Sequence, residues 1–286
     1  MHSETNRLLG YPDDARLLIL NADDLGMYPA INEGIFRTIR EGMACSTTLM
    51  VPCPGATQAI AMLQADPGIP FGIHLTAVRD FDAYRWGPVA PREDVPSLLD
   101  DEGDFYHNNR SSEVLARAKL DHVEIEFRAQ IEVVLDAGLT PTHLDWHCLH
   151  NGGRADIFDL TMALAREYGL AVRVTGQPFA GLARSQGMPT VDHDVVDSYR
   201  IPTADKPARY HQMLRTVPPG LSEWAIHPST GDAASQEIDR EPEGWRVRRA
   251  DYEFLMSPAA RQIIDEEGII LLSYRPLQAV WQTALS

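Results

Sequence analysis

Short apolar runs alternate with stretches of helical periodicity along most of the chain. The run RLLILN at 16–21 is typical of a buried strand, and Ile31, Ile35 and Ile39 then recur at helical spacing before Gly42. The same alternation predicts strands at 16–21, 46–51, 71–75, 142–146, 171–175, 223–227 and 269–273, and helices at 31–41, 56–65, 112–137 and 155–168. Because strands that alternate with helices form parallel sheets, we expect an α/β protein.

About seven strands are predicted, in a sheet that is either open or closed into a barrel. We expect residues 1–286 to form one domain, because (β/α) barrels of roughly 250 residues commonly fold as a single unit. One long segment, at about 76–110, is rich in Pro, Gly and Asp and matches neither pattern. Long loops of this kind are usually functional, so we expect a lid or a substrate-binding loop.

The charge balance restricts the partners. A formal net charge of −16 repels phosphate backbones and anionic lipid head groups, so we expect neither nucleic acid nor a membrane surface as a partner. No apolar stretch approaches the roughly 20 residues that span a bilayer. The polar start and three cysteines without a CxxC pair predict a cytoplasmic protein with reduced thiols. The oligomeric state is left open, and a homo-oligomer is compatible with the sequence.

Polar side chains that can bind metals or move protons lie where several predicted strands end. The active sites of (β/α) barrels lie at the carboxyl ends of the strands and draw on several strands at once. We therefore expect these residues, although distant in sequence, to converge in space. They are Asp23, Asp24, His74, His143, Asp145, His147 and His227.

Asp23 and Asp24 are adjacent carboxylates at the end of a buried strand. Two such groups repel each other and lose solvation unless a cation or a proton resolves the conflict. Strand neighbours face opposite sides, so both reach one site only where the strand breaks, and Gly26 permits a sharp turn there. The alternative is a helix N-cap beside a solvated aspartate.

The histidines admit two interpretations. His74 lies in an apolar strand, where a lone histidine is more often a hydrogen-bonded core residue than a ligand. His143, Asp145 and His147 alternate with period two and so face one side of their strand. A carboxylate beside an imidazole can fix the tautomer of a metal-bound histidine, although a buried polar network gives the same pattern.

Asp24, His74 and His147 together offer one carboxylate and two imidazoles. Three protein ligands with open positions are typical of a catalytic metal centre. Cys148 is expected to face away from this site as inert packing. His150, in a glycine-rich turn, is either near the site or simply exposed.

The motifs that carry these residues resemble the YdjC-like carbohydrate deacetylases, relatives of the NodB-type polysaccharide deacetylases. The similarity runs in order from about residue 16 to the final strand. The resemblance implies a distorted, TIM-barrel-like (β/α) barrel of seven strands, and removal of N-acetyl groups from sugars such as chitooligosaccharides. The matching segments are LLILNADDLGMYPAINEGI, FGIHL, PTHLDWH, AVRVTGQP and the IHP near position 227.

The resemblance also implies roles for individual residues. Asp24, His74 and His147 match the metal ligands, Asp23 the catalytic base, and His227 the position expected for the general acid. One divalent ion is expected, with zinc or magnesium first and cobalt, nickel or manganese also compatible.

Four further residues are expected to support the ligands or contact the substrate. They are His143, Asp145, His150 and Arg173, of which Arg173 either holds Asp23 or is structural. The chain departs from its relatives at Trp146, which replaces a small residue, and after His147, where further histidines are lost or displaced. The rim of the pocket is therefore altered, and the substrate is less constrained than the reaction.

The leading hypothesis is a metal-dependent hydrolase that releases acetate from a small N-acetylated sugar or oligosaccharide. One alternative is another barrel metallohydrolase, a deaminase or a phosphoesterase. Those enzymes commonly have an HxH motif where this chain has Asp23 and Asp24. The other is a non-catalytic sugar-binding relative, which would lack the base or a ligand.

Overall fold

The central strands carry the longest apolar runs and are buried throughout. The computed structural model describes residues 3–240 and 244–285. β1 is buried from its second residue to its last, which is typical of a parallel strand covered on both faces. The strands are β1 (Arg16–Leu25), β2 (Ser46–Leu49), β3 (Phe71–Leu75), β4 (His143–Trp146), β5 (Ala171–Val172), β6 (Val196–Asp197), β7 (Gly220–Ile226) and β8 (Ile270–Leu271).

The strands form one parallel sheet that curls. Their order is β5-β4-β3-β2-β1-β7-β6, and β8 pairs with the start of β1. Arg173, directly after β5, forms ion pairs with Asp23 of β1 and Glu223 of β7. Because β4, β3, β2 and β1 lie between β5 and β7, a side chain that follows β5 can reach β7 only if the sheet is curved. The predicted α/β, barrel-like fold is therefore confirmed.

Helices follow most of the strands. The predicted helices at 56–65 and 155–168 have the predicted bounds, and the second ends at Gly169, whose φ of 68° terminates it. Within the described ranges, no helix is long and apolar enough to cross a membrane. The helices are α1 (Glu4–Leu9), α2 (Pro29–Arg40), α3 (Ala56–Ala65), α4 (Ser111–Arg117), α5 (Leu120–Asp136), α6 (Ala155–Tyr168), α7 (Phe179–Ser185), α8 (Lys206–Arg215), α9 (Ala233–Ile238), α10 (Gly244–Leu255), α11 (Pro258–Glu266) and α12 (Tyr274–Leu285).

The single helix predicted at 112–137 is wrong, because the chain breaks between α4 and α5. Ala118 and Lys119 are extended, with ψ values of 122° and 138°. The break is stabilised by tertiary contacts. Arg154 donates to the carbonyls of Leu115 and Ala118, and the Ser97 hydroxyl accepts the N–H of Lys119. These partners replace the helical hydrogen bonds that continuous periodicity would require.

Strand β6 was not predicted. Its two residues pair with Trp224 and Ala225 of β7 and are only half-buried, so they leave no apolar run in the sequence. Several predicted strands are also shorter than expected. The strand predicted at 171–175 ends at Val172, and the next residue, Arg173, lines the pocket.

The segment at 76–110 is ordered against the barrel. It contains three short 3₁₀ turns, Arg92–Asp94, Pro96–Leu98 and Asn108–Arg110. Glu126 of α5 anchors it, accepting the backbone N–H groups of Val89 at 3.1 Å and Ala90 at 3.0 Å. Burial raises the pKa of Glu126 to about 7, although these hydrogen bonds favour the charged form.

We predict that Glu126→Ala loosens the segment without unfolding the barrel. Two backbone N–H groups lose their acceptor, and each costs about 1–3 kcal/mol, so the free energy of unfolding should fall by about 2–6 kcal/mol. Urea unfolding measures this loss, and limited proteolysis should cut the variant within 76–110. The control is Glu132→Ala, an exposed carboxylate on the same helix. Equal stability of the two variants would contradict the anchoring role.

Candidate active site

Asp23 and Asp24 reach one pocket because β1 is irregular at its end. The pairing of β1 with β2 shifts between Ala22 and Leu25, and Asp24 has a φ of 73°. This left-handed conformation is uncommon outside glycine, although aspartate tolerates it better than most residues. The irregularity brings two neighbours that would face opposite sides into the same pocket.

Asp24, His74 and His147 bring three potential ligand atoms together. Oδ1 of Asp24 lies 3.4 Å from Nε2 of His74 and 3.4 Å from Nδ1 of His147. Ligands bound tetrahedrally to zinc at 2.0–2.1 Å are separated by roughly 3.3 Å. Among the described residues, this buried oxygen has no hydrogen-bond partner, which is costly for a carboxylate unless a cation serves it. The three residues therefore fit a divalent metal ion.

A carboxylate holds the second ring nitrogen of each histidine. Nδ1 of His74 lies 2.6 Å from Asp145, and Nε2 of His147 lies 3.0 Å from Asp80. In a neutral ring, an N–H that donates to a carboxylate leaves the opposite nitrogen, on the side of Asp24, without a proton and able to bind a metal. Burial alone would lower the pKa of His74, but Asp145 outweighs it and raises the pKa to about 9. In the metal-free protein this ring is therefore protonated at neutral pH.

Asp23 is held by Arg173. The guanidinium donates to both carboxylate oxygens, at 2.8 and 2.9 Å. It also donates to Glu223 at 2.7 Å and lies 2.6 Å from an oxygen of Asp145. Burial alone would raise the pKa of Asp23, but Arg173 lowers it well below its usual range. Asp23 is thus ionised at neutral pH in the free protein.

Arg248 of α10 holds the other oxygen of Asp24. Its Nη2 lies 2.8 Å from Oδ2 of Asp24, and its Nε donates to Asp239 at 3.2 Å. Burial raises the pKa of Asp24, but Arg248, His147 and His74 together lower it well below its usual range. Asp24 thus has one oxygen bound to an arginine, whereas the other has no hydrogen-bond partner among the described residues.

One cavity of about 790 Å³ is lined by Asp23, Asp24, His74 and His147. His227, just past the end of β7, is half-buried and forms part of its wall. The segment at 76–110 contributes Asp80 and Phe81, so it forms part of the pocket. Carboxylates, histidines and a cavity of ligand size thus meet at the carboxyl ends of the strands.

Residues 17–266 match the family model described as YdjC-like protein, which covers most of the chain. The chain belongs to the YdjC-like family. The resemblance inferred from the motifs is thereby confirmed.

Relatives within the family match over nearly their whole length. A carbohydrate deacetylase of Enterococcus faecalis is 29% identical over 266 residues, covering 91% of this chain and 97% of the relative. A carbohydrate deacetylase of Thermoanaerobacter pseudethanolicus is 28% identical over 263 residues, covering 92% and 100%. The crystal structure of an E. faecalis protein proposed to cleave cellobiose phosphate is also similar, with a TM-score of 0.76 and 28% identity. It covers 92% of this chain and 99% of that protein.

Two histidines of this YdjC-like chain lie away from the three ligand atoms. His143 is fully buried, stacks on Tyr274 with ring centroids 3.6 Å apart, and does not line the pocket. It precedes His147 by four residues, which places it about 13 Å deeper along an extended chain. His150 is exposed at the pocket wall, 3.2 Å from a nitrogen of Arg200.

The expectation that Cys148 is inert packing is wrong. The residue has a φ of 58°, which redirects its side chain, and its exposed thiol lines the pocket. The sulfur lies 3.4 Å from Nε2 of His147. A regular strand would have placed it on the opposite face, but the strand ends at Trp146.

The sequence interpretation missed Asp80 and Arg248. Asp80 lies in a segment without strand periodicity, and Arg248 lies on a helix that is far in sequence from the predicted strand ends. One signal was available, since two adjacent buried carboxylates need more positive charge than Arg173 alone supplies.

We predict one divalent ion per chain, held by Asp24, His74 and His147. His147→Ala should weaken metal affinity by more than about 100-fold, beyond the 10–100-fold typical of a lost supporting contact. Elemental analysis and titration calorimetry measure this change. His150→Ala is the matched control, because it removes a pocket imidazole that contacts none of the three ligand atoms. Equal metal content in both variants would exclude His147 as a ligand.

We also predict that metal binding releases protons. The pKa of His74 is raised to about 9 in the metal-free protein, and a metal binds only the deprotonated nitrogen. Burial alone would lower the pKa of His147, but Asp80 outweighs it and raises that pKa as well, so affinity should rise with pH across the neutral range. Calorimetry in buffers of different ionisation enthalpy should count at least one proton per ion near neutral pH. Affinity that is constant between about pH 6 and 8 would show that the rings are already neutral.

Proposed function

We propose that this protein is a metal-dependent carbohydrate deacetylase that removes an N-acetyl group from a small sugar or oligosaccharide of the chitooligosaccharide type. The observation that carries the proposal is a buried oxygen of Asp24 between Nε2 of His74 and Nδ1 of His147, for which residues 3–240 and 244–285 provide no hydrogen-bond partner. The names of the YdjC-like relatives support a carbohydrate as the substrate.

The proposed ion is divalent. Two imidazole nitrogens beside one carboxylate favour zinc, cobalt, nickel or manganese over magnesium, whose ligands are mostly oxygens. An ion held by Asp24, His74 and His147 supplies Lewis-acid polarisation of an amide carbonyl and makes water more acidic. Asp145 and Asp80 orient the two rings for this role.

Asp23 is the proposed general base. Its Oδ1 accepts from Arg173 and from Asn21, whereas Arg173 is the only donor to its Oδ2 in the described part of the chain. Because each carboxylate oxygen has two lone pairs, Oδ2 retains one acceptor site for a water proton. Arg173 thus orients Asp23 for the role of base, and Asp24 is the proposed ligand. The water oxygen attacks the acetyl carbonyl carbon as its proton passes to Asp23.

His227 is the proposed general acid. An amine leaves poorly unless its nitrogen is protonated as the C–N bond breaks, and imidazolium delivers a proton readily near neutrality. His227 directly follows β7, which pairs with the strand that carries Asp23, and both residues line the same cavity, so acid and base can act on one acetamide. The products are acetate and an amino sugar.

The cavity suits a small sugar. Its volume lies within the range of roughly 300–1,000 Å³ found for small-molecule sites. Phe81, Trp146 and Tyr199 give its wall aromatic faces, against which the apolar face of a sugar ring can pack. The base and all three candidate ligands are present, so no observation favours a non-catalytic sugar-binding role.

The decisive experiment measures acetate release by the metal-loaded protein from N-acetylglucosamine and short chitooligosaccharides. We predict turnover by the wild type and, for Asp23→Asn, a kcat lower by about 10²–10⁴-fold with the metal retained, which is the usual contribution of a general base. Asp82→Asn changes an exposed carboxylate in the same way and is the control.

Three results would contradict the proposal. Release of no acetate by the metal-loaded wild type from any N-acetylated sugar would exclude the function. An unchanged kcat in Asp23→Asn would exclude Asp23 as the base. Loss of the metal from that variant would show that the roles of Asp23 and Asp24 are exchanged.

A further inference from the structure

A continuous series of buried hydrogen bonds lies behind His227. Its Nδ1 is 2.8 Å from the hydroxyl of Ser198, and that hydroxyl is 2.6 Å from Oδ2 of Asp251. The backbone N–H of His227 donates to the same Oδ2 at 3.0 Å. Ser198 and Asp251 are fully buried, whereas His227 lines the pocket. The histidine is therefore connected to the protein interior on one side and to the substrate cavity on the other.

The partners of Asp251 determine the direction of these hydrogen bonds. Oδ1 of Asp251 lies 2.6 Å from the Lys206 ammonium and 2.6 Å from the Tyr210 hydroxyl. An ammonium and a backbone N–H can only donate, and each carboxylate oxygen faces one of them, so Asp251 is the acceptor on both oxygens. The single proton of Ser198 must then point to Asp251. The serine oxygen can only accept from the ring, which requires a proton on Nδ1 of His227.

We propose that Ser198 and Asp251 are positioning residues that keep Nδ1 of His227 protonated, so that Nε2 is the atom that exchanges its proton with the reactants. This inference rests on the proposed function, in which His227 protonates the leaving amine. A neutral imidazole without such a partner populates both tautomers and can rotate in its site. Either change lowers the fraction of rings whose Nε2 can exchange a proton with the reactants.

The fold explains why these residues meet. In the parallel pairing of β6 with β7, Asp197 lies beside Ala225, so the residues that follow both strands are neighbours. The Asp197 carboxylate accepts the N–H of Tyr199 and starts a 3₁₀ turn that places Ser198 toward His227. Asp251 comes from α10, the helix that also carries Arg248. The short strand β6 therefore delivers a residue that the site uses.

The first test leaves Ser198 and Asp251 unchanged. In ¹⁵N-histidine-labelled, zinc-loaded protein, His227 is assigned by the signal that His227→Ala lacks. We expect a directly bonded proton on Nδ1 in both charge states of the ring, with only Nε2 gaining and losing its proton. A neutral form that carries its proton on Nε2 would overturn the proposal.

The second test compares Ser198→Ala with Ser46→Ala. Ser46 is also fully buried, but among the described residues its hydroxyl has no hydrogen-bond partner. Ser198→Ala should lose the protected Nδ1 proton and lower kcat on N-acetyl substrates by roughly 10-fold or more, the usual effect of losing a supporting contact. KM should change by less than about 2-fold, because ground-state binding is untouched. Ser46→Ala should match the wild type in all three measurements.

An acetate ester with a good leaving group separates positioning from simple damage. Such a group departs without a proton, so Ser198→Ala should hydrolyse the ester at a rate within about 2-fold of the wild type. Equal losses on ester and amide, or an unchanged Nδ1 signal, would overturn the positioning role. If the wild type releases no acetate at all, the proposed function fails, whereas the nitrogen spectrum still decides whether Ser198 holds the ring.

Discussion

The guanidinium of Arg173 forms ion pairs with carboxylates from three strands, β1, β4 and β7. Buried together without it, Asp23, Asp145 and Glu223 would repel one another, and removal of one partner from a buried ion pair commonly costs about 3–5 kcal/mol. The Tyr274 hydroxyl completes the arrangement by donating to Glu223 at 2.6 Å. The same contact therefore stabilises the curvature of the sheet and keeps Asp23 ionised.

Two arginines give two adjacent carboxylates different properties. Arg173 binds both oxygens of Asp23, whereas Arg248 binds one oxygen of Asp24, and the other has no hydrogen-bond partner within the described ranges. The difference depends on the left-handed backbone at Asp24, which separates side chains that are neighbours in sequence. The proposed base and the proposed metal ligand can then lie side by side without competing for one ion.

Supports from outside the strands complete the site. The segment at 76–110 contributes Asp80, which holds His147 as Asp145 holds His74. Helix α10 contributes Arg248 behind Asp24 and Asp251 behind Ser198 and His227. The proposed ligands, base and acid thus lie at strand ends, and helix α10 and the long segment add groups that orient three of them, Asp24, His147 and His227.

The sequence by itself determined the parallel α/β framework and the convergence of Asp23, Asp24, His74, His147 and His227 at one edge. Strands buried on both faces must be apolar, and parallel strands place their carboxyl ends together. The framework and the convergence can therefore both be predicted from local sequence patterns. Only the tertiary structure decided the break before α5, the existence of β6, the deep position of His143 and the exposure of Cys148. It alone also paired Asp80 with His147 and Ser198 with His227. These features depend on hydrogen bonds and ion pairs between residues distant in sequence, for which periodicity carries no signal.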